Sequence, residues 1–456
     1  MQLSRQCMMW RLRTMTKLKH YLCYLLGSFW FVPSSIVLGS IVLAIALIEV
    51  DSLGDHEWMK NWPRLFGAGA EGARSMLATI SGSIMTVVGV TFSMTLMTLA
   101  LASNQYTSRV LRNFMRDRVT QVVLGVFAGI FTYCLIVLRS IMDSGGGDFI
   151  PHLSVAVSMV LAIFGVGVLI LFIHHISSEI QASSIISAVA HETFTAIDRL
   201  FPDELGQGES EDNSTEPALL ADTRWAEIPG VNDGFIQHVD NAVLLRLACE
   251  HKTVVRMERG VGEFVMRDSV LVSLAMQGSP GEEVAGALRD CFDVDRYRTL
   301  EQDVAFGIRQ IVDIAMKALS PSSNDTTTAV MCVNYLTSIL SRLAVRKFPS
   351  DYRYDEGVLR VIARGPTFGG LLALAFDQVR WSAEGNPKLL VKLIEALEVI
   401  AISARNPERR QAVGAVLAEV AEVGLRTLAA PSDRARFESR LAQASARMPQ
   451  MPEQTG

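Results

Sequence analysis

Residues 76–102, MLATISGSIMTVVGVTFSMTLMTLALA, run for 27 positions without a charged side chain. At about 1.5 Å of rise per helical residue, this stretch can cross the roughly 30 Å hydrocarbon layer of a bilayer. Three shorter stretches, each still about 20 residues and free of charge, lie at about Phe29–Ile48, Val119–Leu138 and Leu153–Ile173. Together they decide the fold class. The chain reads as a membrane α-helical protein with four transmembrane helices, followed by a mainly helical α+β cytoplasmic domain with a small β-rich subdomain.

Composition divides the chain in the same place. Of 456 residues, half are hydrophobic and 20% charged, against the roughly 25% charge of ordinary soluble domains. Residues 1–201 hold 14 Lys and Arg against 11 Asp and Glu, and the remainder holds 28 against 36. A mildly acidic second part without a clustered basic face argues against nucleic-acid binding. The six cysteines, Cys7, Cys23, Cys134, Cys249, Cys291 and Cys332, form no CxxC pair and no zinc spacing, so free thiols are expected.

Orientation follows from the short connections, because basic residues gather on the cytoplasmic side. The N-terminal arm carries Arg5, Arg11, Arg13, Lys17 and Lys19 without an acid. The second connection carries Arg109, Arg112, Arg116 and Arg118 against Asp117 alone, whereas the other two are acidic or near neutral. Both termini are therefore expected in the cytoplasm, with the chain resident in a bacterial inner membrane. The first apolar run is too long for a signal-peptide core and reads as an uncleaved anchor. Residues 1–27, with Met8, Trp10 and Leu12 among the bases, suit an interfacial helix against anionic headgroups.

The remaining boundaries come from punctuation. Four spans fill 28–176. No proline interrupts Leu153–Phe201, so 177–201 reads as a helical extension into the cytoplasm, one rod of about 73 Å or two with a break near Ser177-Ser178. Residues 202–222 are an acidic linker and 223–298 a β-rich subdomain. Within the latter, the Gly260-Val-Gly262 turn before Glu263-Phe-Val suggests a barrel-sandwich hairpin. Carriers of that type hold their cofactor on a hairpin lysine. None stands here, so no cofactor is assigned. Residues 299–430 are a helical cytoplasmic domain, opened by a capping box at Thr299-Leu-Glu-Gln302, with a short hairpin at Tyr352–Ile362 turning on Asp355-Glu-Gly. Residues 431–456 read as a flexible tail.

Val110-Leu-Arg-Asn-Phe-Met-Arg-Asp-Arg118, Glu301-Gln-Asp-Val-Ala-Phe-Gly-Ile-Arg-Gln310 and Ala318-Leu-Ser-Pro-Ser-Ser-Asn-Asp325 carry a family resemblance, joined by Gly72-Ala-Arg74 and Phe149-Ile-Pro-His-Leu153. Over roughly residues 28–400 the chain resembles a bacterial family of predicted membrane proteins of unknown function. Where that family usually has proline after Asn-Asp, this chain has Thr326. The resemblance implies inner-membrane residence and adds no activity.

Three groups of residues are candidate sites. Ser75, Thr79, Gly82, Thr86, Gly89 and Ser93 recur at alternating spacings of four and three, which makes one seam along a gently supercoiled helix. Such small and hydroxyl side chains either pack the helix closely against a neighbouring span of the same chain or meet copies of themselves around a narrow polar path. Arg109, Arg112, Arg116 and Arg118 would form its basic cytoplasmic mouth. Asp303, Arg309, Asp313, Asn324 and Asp325 lie on two consecutive helices and their turn, as a polar pocket or, preferably, as helix caps and an ion pair. His174 and His175, with Glu179 one turn on, are a weak metal candidate against an ordinary ion pair at a helix end. No catalytic triad, P-loop, HExxH or dinucleotide fingerprint occurs in a fitting context, and nothing asks for an enzyme. The partners implied are the lipid bilayer and further copies of the chain. The function classes left are a homo-oligomeric channel or transport-related protein and a non-conducting membrane-anchored scaffold.

Overall fold

A computed structural model describes residues 30–53, 69–105, 117–142, 150–179, 181–201, 223–276, 278 and 280–448. The interfacial arm, the acidic linker, Arg109, Arg112 and Arg116 fall outside these residues. The chain forms two compact units, divided between Gln181 and Ala182.

Among the described residues the first unit holds four helices: α1 (Phe31–Leu53), α2 (Ala70–Gln105), α3 (Arg118–Met142) and α4 (His152–Glu179). The most enclosed is α3, which packs against the other three. The α1–α3 contact is close for a reason visible in α3, where Gly125 and Gly129 lie one turn apart on one face. A methyl at Gly125 would stand 2.9 Å from the Pro33 Cα, and one at Gly129 would stand 2.5 Å from the Ser40 hydroxyl. Glycine lets the two backbones approach in a medium where helices gain little from hydrophobic burial. The interior is filled by Leu77, Ile84, Phe127, Ile130, Tyr133, Phe172 and their neighbours. On the outside, Leu38, Val42, Val160, Ile163, Phe164, Ile170 and Leu171 are exposed. A soluble protein rarely shows so large an apolar surface, whereas hydrocarbon would cover it without penalty.

The second unit begins with α5 (Ala182–Leu200). The proline-free run from Leu153 to Phe201 thus holds two helices, one ending at Glu179 and the next starting at Ala182, a few residues beyond Ser177-Ser178. The second helix is no free extension, since Ile185, Ile186, Val189, Thr193 and Ile197 are buried in the second unit's core.

Eight short strands and two helices follow, in the order β1 (Trp225–Pro229), β2 (Gly234–Val239), α6 (Asn241–Glu250), β3 (Val255–Met257), β4 (Phe264–Val265), β5 (Val270–Ala275), α7 (Glu282–Arg289) and β6 (Phe292–Asp295), with β7 (Tyr352–Asp355) and β8 (Val358–Ile362) later in the chain. They form a five-stranded sheet, β1-β5-β3-β8-β7, and a three-stranded sheet, β4-β2-β6. Among the described residues only β3–β8 is parallel. The hairpin expected around Gly260-Val-Gly262 does not form. Its flanking strands β3 and β4 belong to different sheets, and the turn carries the chain between them. Gly262 sits at φ +82°, against the Asp303 carboxylate, so the glycine serves a close approach. The barrel-sandwich analogy loses its basis with that hairpin. The later hairpin does form on Glu356 and Gly357, both at positive φ, and β8 joins it to the larger sheet.

The helices α8 (Val304–Ala318), α9 (Thr326–Val345), α10 (Phe368–Trp381), α11 (Pro387–Ser403), α12 (Pro407–Thr427) and α13 (Pro431–Arg447) stack in two rows. One row is α8, α10 and α12, the other α9, α11 and α13, and α5 packs on α8 and α9. Asp303, Asp325, Thr367, Asn386 and Asn406 each cap a helix through a side-chain oxygen, satisfying amides that have no partner in the first turn. The capping box expected at Thr299 is not used. Asp303 caps instead, and the Gln302 side chain accepts a hydrogen bond from the Val239 amide at 3.0 Å. The tail expected after Pro431 is helical to Arg447, with Phe437 and Ala444 buried.

Among the described residues five helices are long and apolar enough to span a bilayer, namely α1 to α4 and α9. The last buries Ala329, Cys332, Val333, Leu336, Ile339, Leu340, Leu343 and Ala344 within the second unit.

Candidate functional site

On α2 the seam and the packing face are separate. Ala73, Leu77, Ser81, Ile84, Thr91 and Thr98 are buried, whereas Ser75, Thr79, Gly82, Thr86, Gly89 and Ser93 are all exposed. A methyl added at Gly82 or Gly89 would meet nothing within 4 Å. Among the described residues, no neighbouring span packs against this row. The close helix–helix approach is made elsewhere, by Gly125 and Gly129. Thr79 donates to the Ser75 carbonyl at 2.7 Å and Thr86 to the Gly82 carbonyl at 3.1 Å, so these hydroxyls are satisfied by the preceding turn.

Polar side chains close both ends of the four-helix unit. At one end Asp51, in the last turn of α1, accepts from the Leu153 and Ser154 amides (3.1 and 2.9 Å) and the Ser154 hydroxyl (2.7 Å). It thereby caps the start of α4 from a distant helix. Buried Tyr133 donates to the Ser154 carbonyl at 2.9 Å, and Arg74 donates to the Ile141 carbonyl at the end of α3. At the other end Asp117 caps α3 by accepting from the Val119 and Thr120 amides. The same carboxylate accepts from His175 Nε2 of α4 at 3.0 Å. Burial pushes the Asp117 carboxyl up, but hydrogen bonds from Thr120, His175 and the two amides outweigh it and hold the group below the usual carboxylate range. His175 is thus engaged by Asp117, a residue of the basic connection, beside Arg118 at the first position of α3. Among the described residues no three His, Cys, Asp or Glu side chains gather as metal ligands would.

The Asp303–Asp325 group is placed at separate points. Asp303, nearly fully buried, caps α8 through the Phe306 amide and pairs with Arg298 at 2.7 Å. Burial raises its carboxyl, with Arg298 opposing. Arg309 and Asp313 form an i,i+4 pair at 3.5 Å along α8. Asn324 holds a left-handed conformation, φ 44°, in the turn after α8. Asp325 caps α9 through the Thr327 and Thr328 amides and the Thr328 hydroxyl. The two aspartates cap opposite ends of the hairpin, one helix length apart, about 22 Å for 15 residues. Their arrangement does the work of caps rather than of a converging pocket.

Long-range anchors escaped sequence reasoning. Buried Arg409 of α12 donates one guanidinium nitrogen to the Leu343, Ala344 and Arg346 carbonyls at 3.3, 3.0 and 2.7 Å, closing the end of α9. It also lies over Phe348 and Phe368. Buried Glu398 of α11 is paired with Arg440 and Arg447 of α13. Asp198 of α5 pairs with Arg342 and Arg346 at 2.6 and 2.7 Å. Burial pushes the Cys291 and Cys332 thiols up to about 12, as inert core residues require.

Comparison with known proteins agrees with this architecture. Residues 27–399 match the family described as "Predicted membrane protein (DUF2254)". The chain belongs to that family. It is 32% identical over 428 residues to uncharacterized protein Mb1321c of Mycobacterium bovis and to uncharacterized protein Rv1290c of Mycobacterium tuberculosis, covering 91% of this chain and 80% of each relative. No solved structure matches. The matched region takes in all four apolar helices of the first unit and, in the second, the strands and the helices through α10. It also takes in the strings quoted above: Glu301–Gln310 holds the Asp303 cap and Gly307, which lies against Thr193 of α5, and Ala318–Asp325 is the α8–α9 turn.

Proposed function

We propose that this membrane protein works as a homo-oligomer in the bacterial inner membrane, with copies of α2 meeting along the seam around a symmetry axis. The second unit would be a cytoplasmic sensing or gating domain. One observation carries the proposal: all six seam residues point away from their own bundle, with open space beside both glycines. Lipid would more readily sit against the leucine, isoleucine and phenylalanine of α1 and α4 than against a row of glycine, serine and threonine. Small residues let backbones approach closely, which is how helices associate in bilayers.

Four spans rather than five are favoured by the surroundings of α9. Its apolar face is occupied by α5, α8 and α11, and Arg342 in its last turn is paired with Asp198. The basic residues of the N-terminal arm and of Arg109–Arg118 then put both termini in the cytoplasm. In this arrangement the arginines ring the cytoplasmic mouth of a narrow path. Its walls carry no charge, so any selectivity would come from the arginines and favour anions. A second reading, a non-conducting scaffold, is favoured by the Thr79 and Thr86 hydroxyls, whose protons are already given to their own backbone.

The experiment is a mass measurement in mild detergent together with flux into liposomes. An oligomer with flux that Gly89→Leu abolishes and Thr86→Ser retains supports the pore. An oligomer without flux leaves the scaffold, and a monomer without flux removes the proposal.

A further inference from the structure

The free edge of the five-stranded sheet carries its own complement. The outermost strand is β7, Tyr352-Arg353-Tyr354-Asp355, and among the described residues only β8 pairs with it. Glu356 and Gly357, both at positive φ, make a two-residue hairpin turn, which Asp355 and Val358 close as opposite residues. In an antiparallel ladder both polar groups of one residue face the partner strand, and those of the next residue face away. Asp355 therefore turns its amide and carbonyl toward β8, and Tyr354 turns its own outward. The Asp351 carbonyl accepts from Ala363 at the strand's other end, which keeps the same alternation in steps of two. Tyr354 is 41% exposed, and Asp355, also exposed, meets the Cys249 thiol at 3.3 Å. Exposed edges are ready templates for pairing, and proteins blunt them with proline, lysine, shortness or bulges. β7 holds no proline or lysine, although it is four residues long and its register with β8 shifts between Arg353 and Tyr354.

We infer that β7 is an interaction edge for a second copy of this chain, paired antiparallel about a two-fold axis at Tyr354. The occupant follows from charge and parity. A two-fold axis perpendicular to a sheet keeps each side chain on its own face, so facing residue numbers must sum to an even number. With Tyr354 opposite Tyr354 of the second copy, Arg353 lies opposite Asp355, and Asp355 opposite Arg353. These are the non-hydrogen-bonded positions, where facing side chains are nearest. Both ion pairs arise from one register, and a slip by one residue in each chain places Asp355 opposite Asp351 instead. Four residues make a weak contact in solution, but confinement of the copies to one membrane raises their effective concentration. The inference concerns the second unit alone and does not depend on the α2 seam.

The test uses the full chain in membranes. Tyr354→Cys places two cysteines on the two-fold, where the roughly 5.5 Å between α-carbons of a bonded pair lies within disulfide reach, so mild oxidation should give a covalent dimer. Val358→Cys, comparably exposed but on β8, should not. Within the Tyr354→Cys background, Arg353→Asp and Asp355→Arg should each lower the dimer yield roughly fivefold or more, since both facing pairs become like-charged. Co-expressing these two variants should restore the yield selectively in the mixed dimer, in which an aspartate again faces an arginine at both pairs. Dimer formation at Val358 equal to that at Tyr354, or no recovery on mixing, overturns the inference. Because Gly89→Leu leaves β7 untouched, its effect on the oligomer and that of the charge exchange are separable.

Discussion

Glycine to alanine adds one methyl group, and the structure gives three such additions three different costs. At Gly125 the new carbon would stand 2.9 Å from the Pro33 Cα and 2.8 Å from Ile36 Cδ1, against the 3.5–4.0 Å of ordinary contact. Backbone cannot rotate aside, so α1 and α3 must separate by about 1 Å. That gap forfeits a quarter to a half of the dispersion energy of the atoms it parts. Overpacking of this kind costs about 1–3 kcal/mol, and Gly125→Ala should lie in its upper half. At Gly129 the obstacle is the Ser40 hydroxyl at 2.5 Å, which can turn away by giving up its 3.0 Å bond to the Ile36 carbonyl. Gly129→Ala should cost about 1 kcal/mol, the net worth of one hydrogen bond. At Gly89 nothing lies within 4 Å, and alanine's higher helix propensity, up to about 1 kcal/mol, makes the change neutral or stabilising for the monomer. The assay is denaturation of the purified full chain in mixed micelles by increasing SDS, followed by circular dichroism. The order Gly125→Ala, Gly129→Ala, Gly89→Ala, from most to least destabilising, is the result expected. Equal losses at Gly125 and Gly89 would refute the assignment of one glycine pair to the bundle interior and the other to its outside.

In the second unit, Arg409→Ala leaves three helix-end carbonyls without their donor and should cost about 3 kcal/mol in urea unfolding. Arg409→Lys should recover little of it, because an ammonium lacks the flat guanidinium that lies over the Phe348 and Phe368 rings while one of its nitrogens reaches the carbonyls. Full rescue by lysine would remove this account. Asp325 titrates in the opposite sense to Asp303: hydrogen bonds from the Thr328 hydroxyl and the Thr328 and Thr327 amides lower its carboxyl from the ordinary 3.8. A depressed folded-state value means stability present above about pH 4 and lost as pH falls through that value. The stability lost by Asp325→Ala, about 1 kcal/mol at neutral pH, should therefore shrink on acidification below pH 4, and a gap independent of pH would contradict the cap.

Much of this architecture is legible because its determinants are local. The helices α1 to α4 are continuous apolar runs, and the helix starts at Asp325, Thr367, Pro387 and Pro407 are announced by capping residues within one turn. The capping box at Thr299 misled because two candidate caps stand four residues apart, and Gln302 is drawn instead to the Val239 amide, 63 residues away. The short elements α7 and β6 lack enough periods to register. The final helix looked like a loose tail because its sequence is strongly polar, yet its arginines find Glu398 on α11. Arg409, Glu398, and Asp51 across 102 residues from Leu153 share that character: each is an ordinary charged residue until a distant backbone or side chain gives it a partner.

The two rows of small residues show where periodicity stops being informative. On α2 the seam is long, regular and rich in hydroxyls, and on α3 the Gly125–Gly129 pair is short and set among valine and phenylalanine. Read from sequence alone, the longer pattern fits packing within the chain and contact between copies alike. Period reports only that a helix has a face of small side chains, because every helix with such a face can be approached closely. Which neighbour approaches depends on the other faces. The large residues of α3 also surround its glycines with partners on three helices, which draws α1 onto the glycine side. On α2, Leu77 and Ile84 are buried in the bundle, whereas Met85, Val90, Phe92 and Met97 stay exposed together with the seam. The shorter motif thus completes the bundle, and among the described residues the longer one is left without a packed neighbour.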